Sequence, residues 1–170
     1  MAGRVNGEPC GVIALRFGAS LALDHAVRHP HAIERLVLLE PVLDGSAYVE
    51  HLRRRQRIKD QMTGLSAPER GNDGYCNFEG YKTSLVFVRQ LCGFSLNGLT
   101  ATGHRLGDIV LVHIGDHPGS SAAMEALTMG LRSVSRSANV RNVRFPRFWE
   151  RIRVQDFHPL LDTVLGLCRA

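Results

Sequence analysis

No run of apolar residues in this 170-residue chain approaches the roughly 20 needed to cross a bilayer. The first nine residues, Met1 to Pro9, carry a single arginine and no apolar stretch of the length a secretory signal needs. The expected address is the cytoplasm. Cysteine is sparse: Cys10, Cys76, Cys92 and Cys168 lie far apart with no C-x-x-C pair, which excludes a zinc ribbon and a thioredoxin-like redox pair. They are expected to be isolated thiols in a reducing compartment. Gly (17) and Pro (7) are too few for a disordered chain, and no internal repeat or low-complexity tract is present. What remains is an ordinary globular composition, 44% hydrophobic and 22% charged, with one domain as the ceiling for this length. The net charge of +5 bears on solubility and encounter with polyanions and does not define a site.

A continuous apolar run, Gly11 to Leu15, is followed by Arg16-Phe17-Gly18, and then by Ala19, Leu21, Ala22, Leu23, Ala26 and Val27 near helical spacing. This predicts a buried strand, a tight turn and a helix. His29-Pro30-His31 ends the helix, because proline cannot continue the hydrogen-bond ladder. Arg35 to Leu39 supplies a second apolar run that stops at Glu40-Pro41, so the segment predicts a βαβ unit with parallel strands and a right-handed crossover. Residues 46–62 have an imperfect helical pattern, 65–77 reads as a loop rich in Gly, Asn and charge, and 79–91 reads as a helix. With no convincing strand, residues 44–99 are expected to form a helical, cap-like insertion lying over a sheet, within a single domain over 1–170. Asp108 to Ile114, nearly all β-branched or leucine apart from His113, predicts a strand buried on both faces. Gly115 to Gly119 turns the chain, and Ser120 or Ser121 caps a helix through about Leu131. Val140 to Phe145 makes a fourth strand, and Pro159 to Leu167 a closing helix. The fold class is α/β.

Ala14-Leu15-Arg16-Phe17-Gly18 stands where α/β-hydrolases carry G-x-S-x-G, the strained strand-to-helix turn that lifts a nucleophile above the sheet. The final glycine suits a close approach of helix to strand, and Ala19 is equally small. Leu15-Arg16-Phe17-Gly18-Ala19, Glu40-Pro41-Val42, Phe78-Glu79-Gly80-Tyr81 and Phe148-Trp149 together resemble the second hydrolase family associated with the bacterial exosortase A system. The resemblance runs from about Gly11 to Leu167. It implies a partial α/β-hydrolase fold, a parallel sheet from the nucleophile strand onward, a link to the exosortase and exopolysaccharide system, and an ester or thioester as the substrate class.

Carried over position by position, the resemblance places Arg16 at the nucleophile, yet a guanidinium keeps its proton and cannot attack a carbonyl. Asp116 matches the neighbourhood of the triad acid. Phe148-Trp149-Glu150 stands where the triad histidine belongs, and His158 is the nearest histidine, several residues later. The loop that donates one oxyanion N–H precedes the elbow in that family, and only Met1 to Cys10 precede β-forming residues here. The family pattern therefore implies lost or atypical catalysis, an inactive truncated remnant, or a chain whose sheet is completed by a protein partner.

Arg16 at a helix N-terminus suits a small anionic or acyl ligand, with Phe17 and Trp149 lining the same site. The competing expectations are an ion pair from Arg16 to Glu40 or Asp116, and core packing for the aromatic rings. Ser20, two residues past Gly18, falls on the helix and not at the exposed turn. Asp116 with His117 is an acid and base pair or simply turn chemistry. The basic run Arg53-Arg54-Arg55-Gln56-Arg57-Ile58-Lys59 is a solvated face or a weak membrane-surface contact. It lacks the interleaved aromatics of a nucleic-acid module, and no nucleic-acid partner is expected. His25, His29 and His31 are split by a proline and lack a completing carboxylate or thiol, so no metal and no cofactor are expected.

Overall fold

The computed structural model describes residues 10–64, 74–78, 80–96, 105–116, 119–147, 149 and 156–169. Expectations placed on residues 65–73, His117, Pro118, Phe148 and Glu150 lie outside the described residues. In chain order the elements are β1 (Gly11–Leu15), α1 (Phe17–Arg28), β2 (Arg35–Leu39), α2 (Gly45–Thr63), β3 (Tyr75–Phe78), β4 (Tyr81–Ser84), α3 (Leu85–Cys92), β5 (Leu106–Gly115), α4 (Ala122–Arg132), β6 (Ser135–Arg144) and α5 (His158–Arg169). They form two compact units, one from Met1–Leu43 with Leu96–Ala170 and one from Asp44–Ser95.

The first unit is α/β, with a four-stranded sheet in the order β1-β2-β5-β6. All three pairings are parallel, with Leu15 beside Leu39, Leu39 beside Val112, and Val112 beside Arg141. The continuous apolar runs of β2 and β5 occupy its centre, where Leu36, Val37, Leu38, Ile109, Leu111 and Val112 are all buried. On one face Val37, Leu39, Val112 and Ile114 pack with Leu160 and Val164 of α5, and Val143, Phe145 and Trp149 close around them. Each such aliphatic side chain contributes about 1.5–3 kcal/mol of burial.

β1 departs from the expected buried strand. Ile13 and Leu15 are 49% and 38% exposed. Among the described residues β1 is hydrogen-bonded only to β2, so it is an edge, and an apolar run alone does not reveal how many neighbours a strand has. β6 is longer than the expected Val140 to Phe145. In its first half Arg136 is exposed on the other edge of the sheet, while Ser135 is buried with its hydroxyl donating to Leu131 O at 2.6 Å. α4 starts as expected, with the Ser121 hydroxyl accepting from the Met124 N–H at 3.2 Å.

In the second unit α2 is capped by Asp44, whose carboxylate accepts from the Ala47 N–H at 2.8 Å, and it ends at Gly64 in the left-handed region, φ 66°. The expected all-helical insertion is corrected here, because β3 and β4 form an antiparallel hairpin. Residues expected as loop (75–77) and as helix (81–84) are strands. Tyr75, Phe78, Tyr81 and Thr83 favour a pleated surface, Gly80 takes φ 103°, and Asn77 Oδ1 accepts from the Gly80 N–H at 2.9 Å. The helix begins only at α3, capped by the Ser84 hydroxyl. Among the described residues no helix is long and apolar enough to cross a membrane.

Candidate functional site

Parallel strands present their C-terminal ends on one edge of the sheet, where open α/β sheets bind ligands. Arg16 stands there between β1 and α1. Its N–H donates to Leu39 O at 2.8 Å, and its carbonyl accepts from the N–H groups of Ala19 and Ser20 at 3.0 and 3.3 Å. Joining a parallel strand directly to a helix forces φ 54° and ψ −127° on this residue. For a side chain as large as arginine that conformation costs about 1–3 kcal/mol. It is a strained strand-to-helix turn with a guanidinium on its central residue.

Glu40 is the other non-glycine residue with positive φ among the described residues, at 46°. It follows β2 directly, and its N–H donates to Val112 O at 2.9 Å. The two strained residues meet. Arg16 Nη1 is 3.9 Å from Glu40 Oε2 and 3.5 Å from the Glu40 carbonyl oxygen. The other carboxylate oxygen accepts from the Ile114 N–H at 2.7 Å and lies 2.6 Å from His113 Nδ1. Glu40 and His113 side chains are each only 12% exposed. The guanidinium carbon of Arg16 lies 5.1 Å from the centroid of the Trp149 ring, within cation–π range.

The Glu40 carboxylate accepts from His113 Nδ1 and so fixes the orientation of the ring. An acid-and-histidine pair of this kind resembles part of a hydrolytic relay. A relay also needs a nucleophile, and among the described residues no hydroxyl or thiol hydrogen-bonds to His113. Ser20 is fully buried, with its hydroxyl donating to Val42 O at 2.8 Å, so it serves the packing of α1.

The expected site residues fall in different places. Arg16, Trp149 and the half-buried Phe17, the first residue of α1, belong to the elbow. Of the two carboxylates expected to pair with Arg16, Glu40 does so. Asp116 is exposed just beyond β5, and His158 is exposed at the first turn of α5, its backbone N–H bonded to Asp156 Oδ1 at 3.0 Å. No hydrogen bond or ion pair among the described residues joins His158 to Asp116 or to Arg16. Gly18 is a correction. A Cβ there would meet nothing within 4 Å, so close helix-to-strand approach does not require glycine at this turn. His113 was not expected at the site. Its signal was a polar ring interrupting an otherwise apolar buried strand, since such a group must find a hydrogen-bond partner.

The opposite, N-terminal edge of the sheet carries two concavities of about 470 and 450 Å³ that share Glu34 and Arg136. Their charged groups are engaged with one another. Arg136 grips Asp108 through Nε and Nη2 at 2.9 and 2.6 Å and reaches Glu34 at 3.5 Å. These hydrogen bonds hold the Asp108 carboxyl down at about 2, with Ser137 and Arg35 adding to the effect and partial burial opposing it. Asp108 in turn raises the Arg136 guanidinium above its ordinary value. This network clasps β2, β5 and β6 and is structural.

Against known proteins, the structure of alpha/beta hydrolase domain-containing protein 10 from mouse is similar to this chain, with 18% identity and a TM-score of 0.49. The match covers 95% of this chain and 62% of the mouse chain, so this chain spans less than two thirds of that structure. No protein-family model matches the sequence, and no curated protein matches it.

Proposed function

We propose that this chain is an α/β-hydrolase-like protein of the exosortase-associated kind, whose elbow recognises a small anionic or acyl ligand in place of serine-ester hydrolysis. The observation that carries the reading is the Arg16 backbone, held in elbow geometry at φ 54° with a side chain that cannot act as a nucleophile. Its guanidinium, a quarter exposed, offers a planar donor fork suited to carboxylate or phosphate. The N-terminus of α1 adds partial positive charge beside it, and the open surroundings of Gly18 leave room at that turn. Glu40 and Trp149 set the direction of the side chain. The exosortase and exopolysaccharide association rests on the set of short sequence words from Leu15 to Trp149.

Turnover of a generic acyl ester by the full chain separates recognition from catalysis. Hydrolysis no faster than that of buffer with denatured protein is expected. Turnover that survives Arg16→Ala and is abolished by Asp116→Asn, His158→Ala or His113→Ala would instead make the protein an enzyme with an unusual site.

A partner that completes the sheet is the second reading, favoured by the β1 edge. Ile13 and Leu15 are exposed there, and an open strand edge is a template for another strand.

A further inference from the structure

We infer that the Asp44–Ser95 unit carries a separate oxyanion site, in a concavity of about 220 Å³ between α2 and the β3 strand, formed by Arg53 with Arg57 and Asn77. The basic run of α2 is not uniformly solvated. Arg54 is exposed, whereas Arg53, one residue earlier, is half-buried and lines the concavity. Among the described residues Arg53 has no ion pair or hydrogen bond. Partial removal of a guanidinium from water without a partner is unfavourable, and an incoming anion offsets it.

Asn77 supplies a second donor. Its Oδ1 is committed to the Gly80 N–H at 2.9 Å, which fixes the amide and leaves Nδ2 as its donor end. Arg57 and Glu50 also line the concavity and pair with each other at 3.1 Å; the two side chains are 50% and 63% exposed, so the pair is weak, and the Glu50 carboxylate is held by Arg57 and not by Arg53. Phe78, 8% exposed, provides an apolar floor, and Gln56, 5% exposed, is held by Asp60 at 2.7 Å. The walls are thus set before a ligand arrives.

The size limits the ligand. A volume of this order holds roughly seven waters and is below that of pockets for drug-sized molecules. The site therefore takes a single carboxylate or phosphate group with little attached to it inside the concavity. It depends on no feature of the Arg16 elbow.

The test is titration of inorganic phosphate, and separately acetate, into the full chain carrying Arg16→Ala, followed through backbone amide shifts of α2 and β3. Saturable shifts are expected, weakened about tenfold by Arg53→Ala and within about twofold of unchanged for the exposed control Arg54→Ala. Asn77→Asp keeps the acceptor for the Gly80 N–H and replaces the donor end with a carboxylate, and it is expected to weaken binding as well. Saturation by phosphate alone assigns a phosphate-bearing ligand, and saturation by both probes a site open to carboxylates. Shifts that never saturate, or an affinity indifferent to Arg53→Ala and Asn77→Asp, would overturn the inference. Because Arg16 is already removed, that failure leaves the elbow reading untouched.

Discussion

Glu40 accepts a hydrogen bond from the Ile114 backbone, holds the His113 ring, and faces the Arg16 guanidinium, all from a strained backbone position at the end of β2. Removing its carboxylate strands the N–H of the buried Ile114, a half-buried imidazole and a cation together. Glu40→Ala is therefore expected to lower stability by about 2–4 kcal/mol in urea unfolding, and Glu40→Gln by clearly less because it still accepts from Ile114. Part of this was legible in the sequence: Glu40 was one of two carboxylates expected opposite Arg16. The link to His113 was not, because pairing between strand ends depends on register, and no spacing along the chain reports register across residues 40 to 113. At the other edge of the sheet Asp108 makes a pH prediction. Its folded value of about 2 lies below the ordinary 3.8, so its stabilisation is complete above about pH 4 and is lost as pH falls towards 2. Arg136 is 53% exposed, so solvent screening keeps the effect small. Urea midpoints of the wild type and Asp108→Asn should differ near neutral pH and converge near pH 2.

Among the elements, the βαβ start was the most legible, since β2 matches its apolar run and α1 ends at the residue before His29-Pro30. Continuous apolar patterning and a proline stop are local signals with local causes. The hairpin of β3 and β4 was hidden by composition, for Asn77 reads as the end of a loop and Gly80 as the start of a helix, whereas Asn77 lies in β3 opposite Lys82 and accepts from the Gly80 N–H beyond it. Glycine positions likewise separate by structure and not by motif. Gly18 belongs to the elbow pattern yet has open space, so Gly18→Ala should be neutral or stabilising by up to about 1 kcal/mol. Gly107, in no motif, has its missing Cβ aimed into the backbone of Glu34. Gly107→Ala should cost more than about 3 kcal/mol, and thermal unfolding of the two variants compares them directly.

On the scale of the whole molecule, the α/β class and the parallel sheet were readable from the alternation of apolar runs with helical spacing. The edge position of β1 was not, because a strand's neighbours are a property of the assembled sheet. If that edge captures strands, Ile13→Lys should reduce concentration-dependent association in sedimentation experiments without moving the urea midpoint by more than about 0.5 kcal/mol in stability. At the turn after β1, Arg16 holds φ 54° and is proposed to bind a small anion. The most direct measurement follows the Gly18 amide by NMR while acetate is added to the full chain. A saturating shift is expected in the wild type, retained in Arg53→Ala and lost in Arg16→Ala. A Gly18 amide that does not respond to acetate, or that responds equally in Arg16→Ala, would rule out anion binding by Arg16.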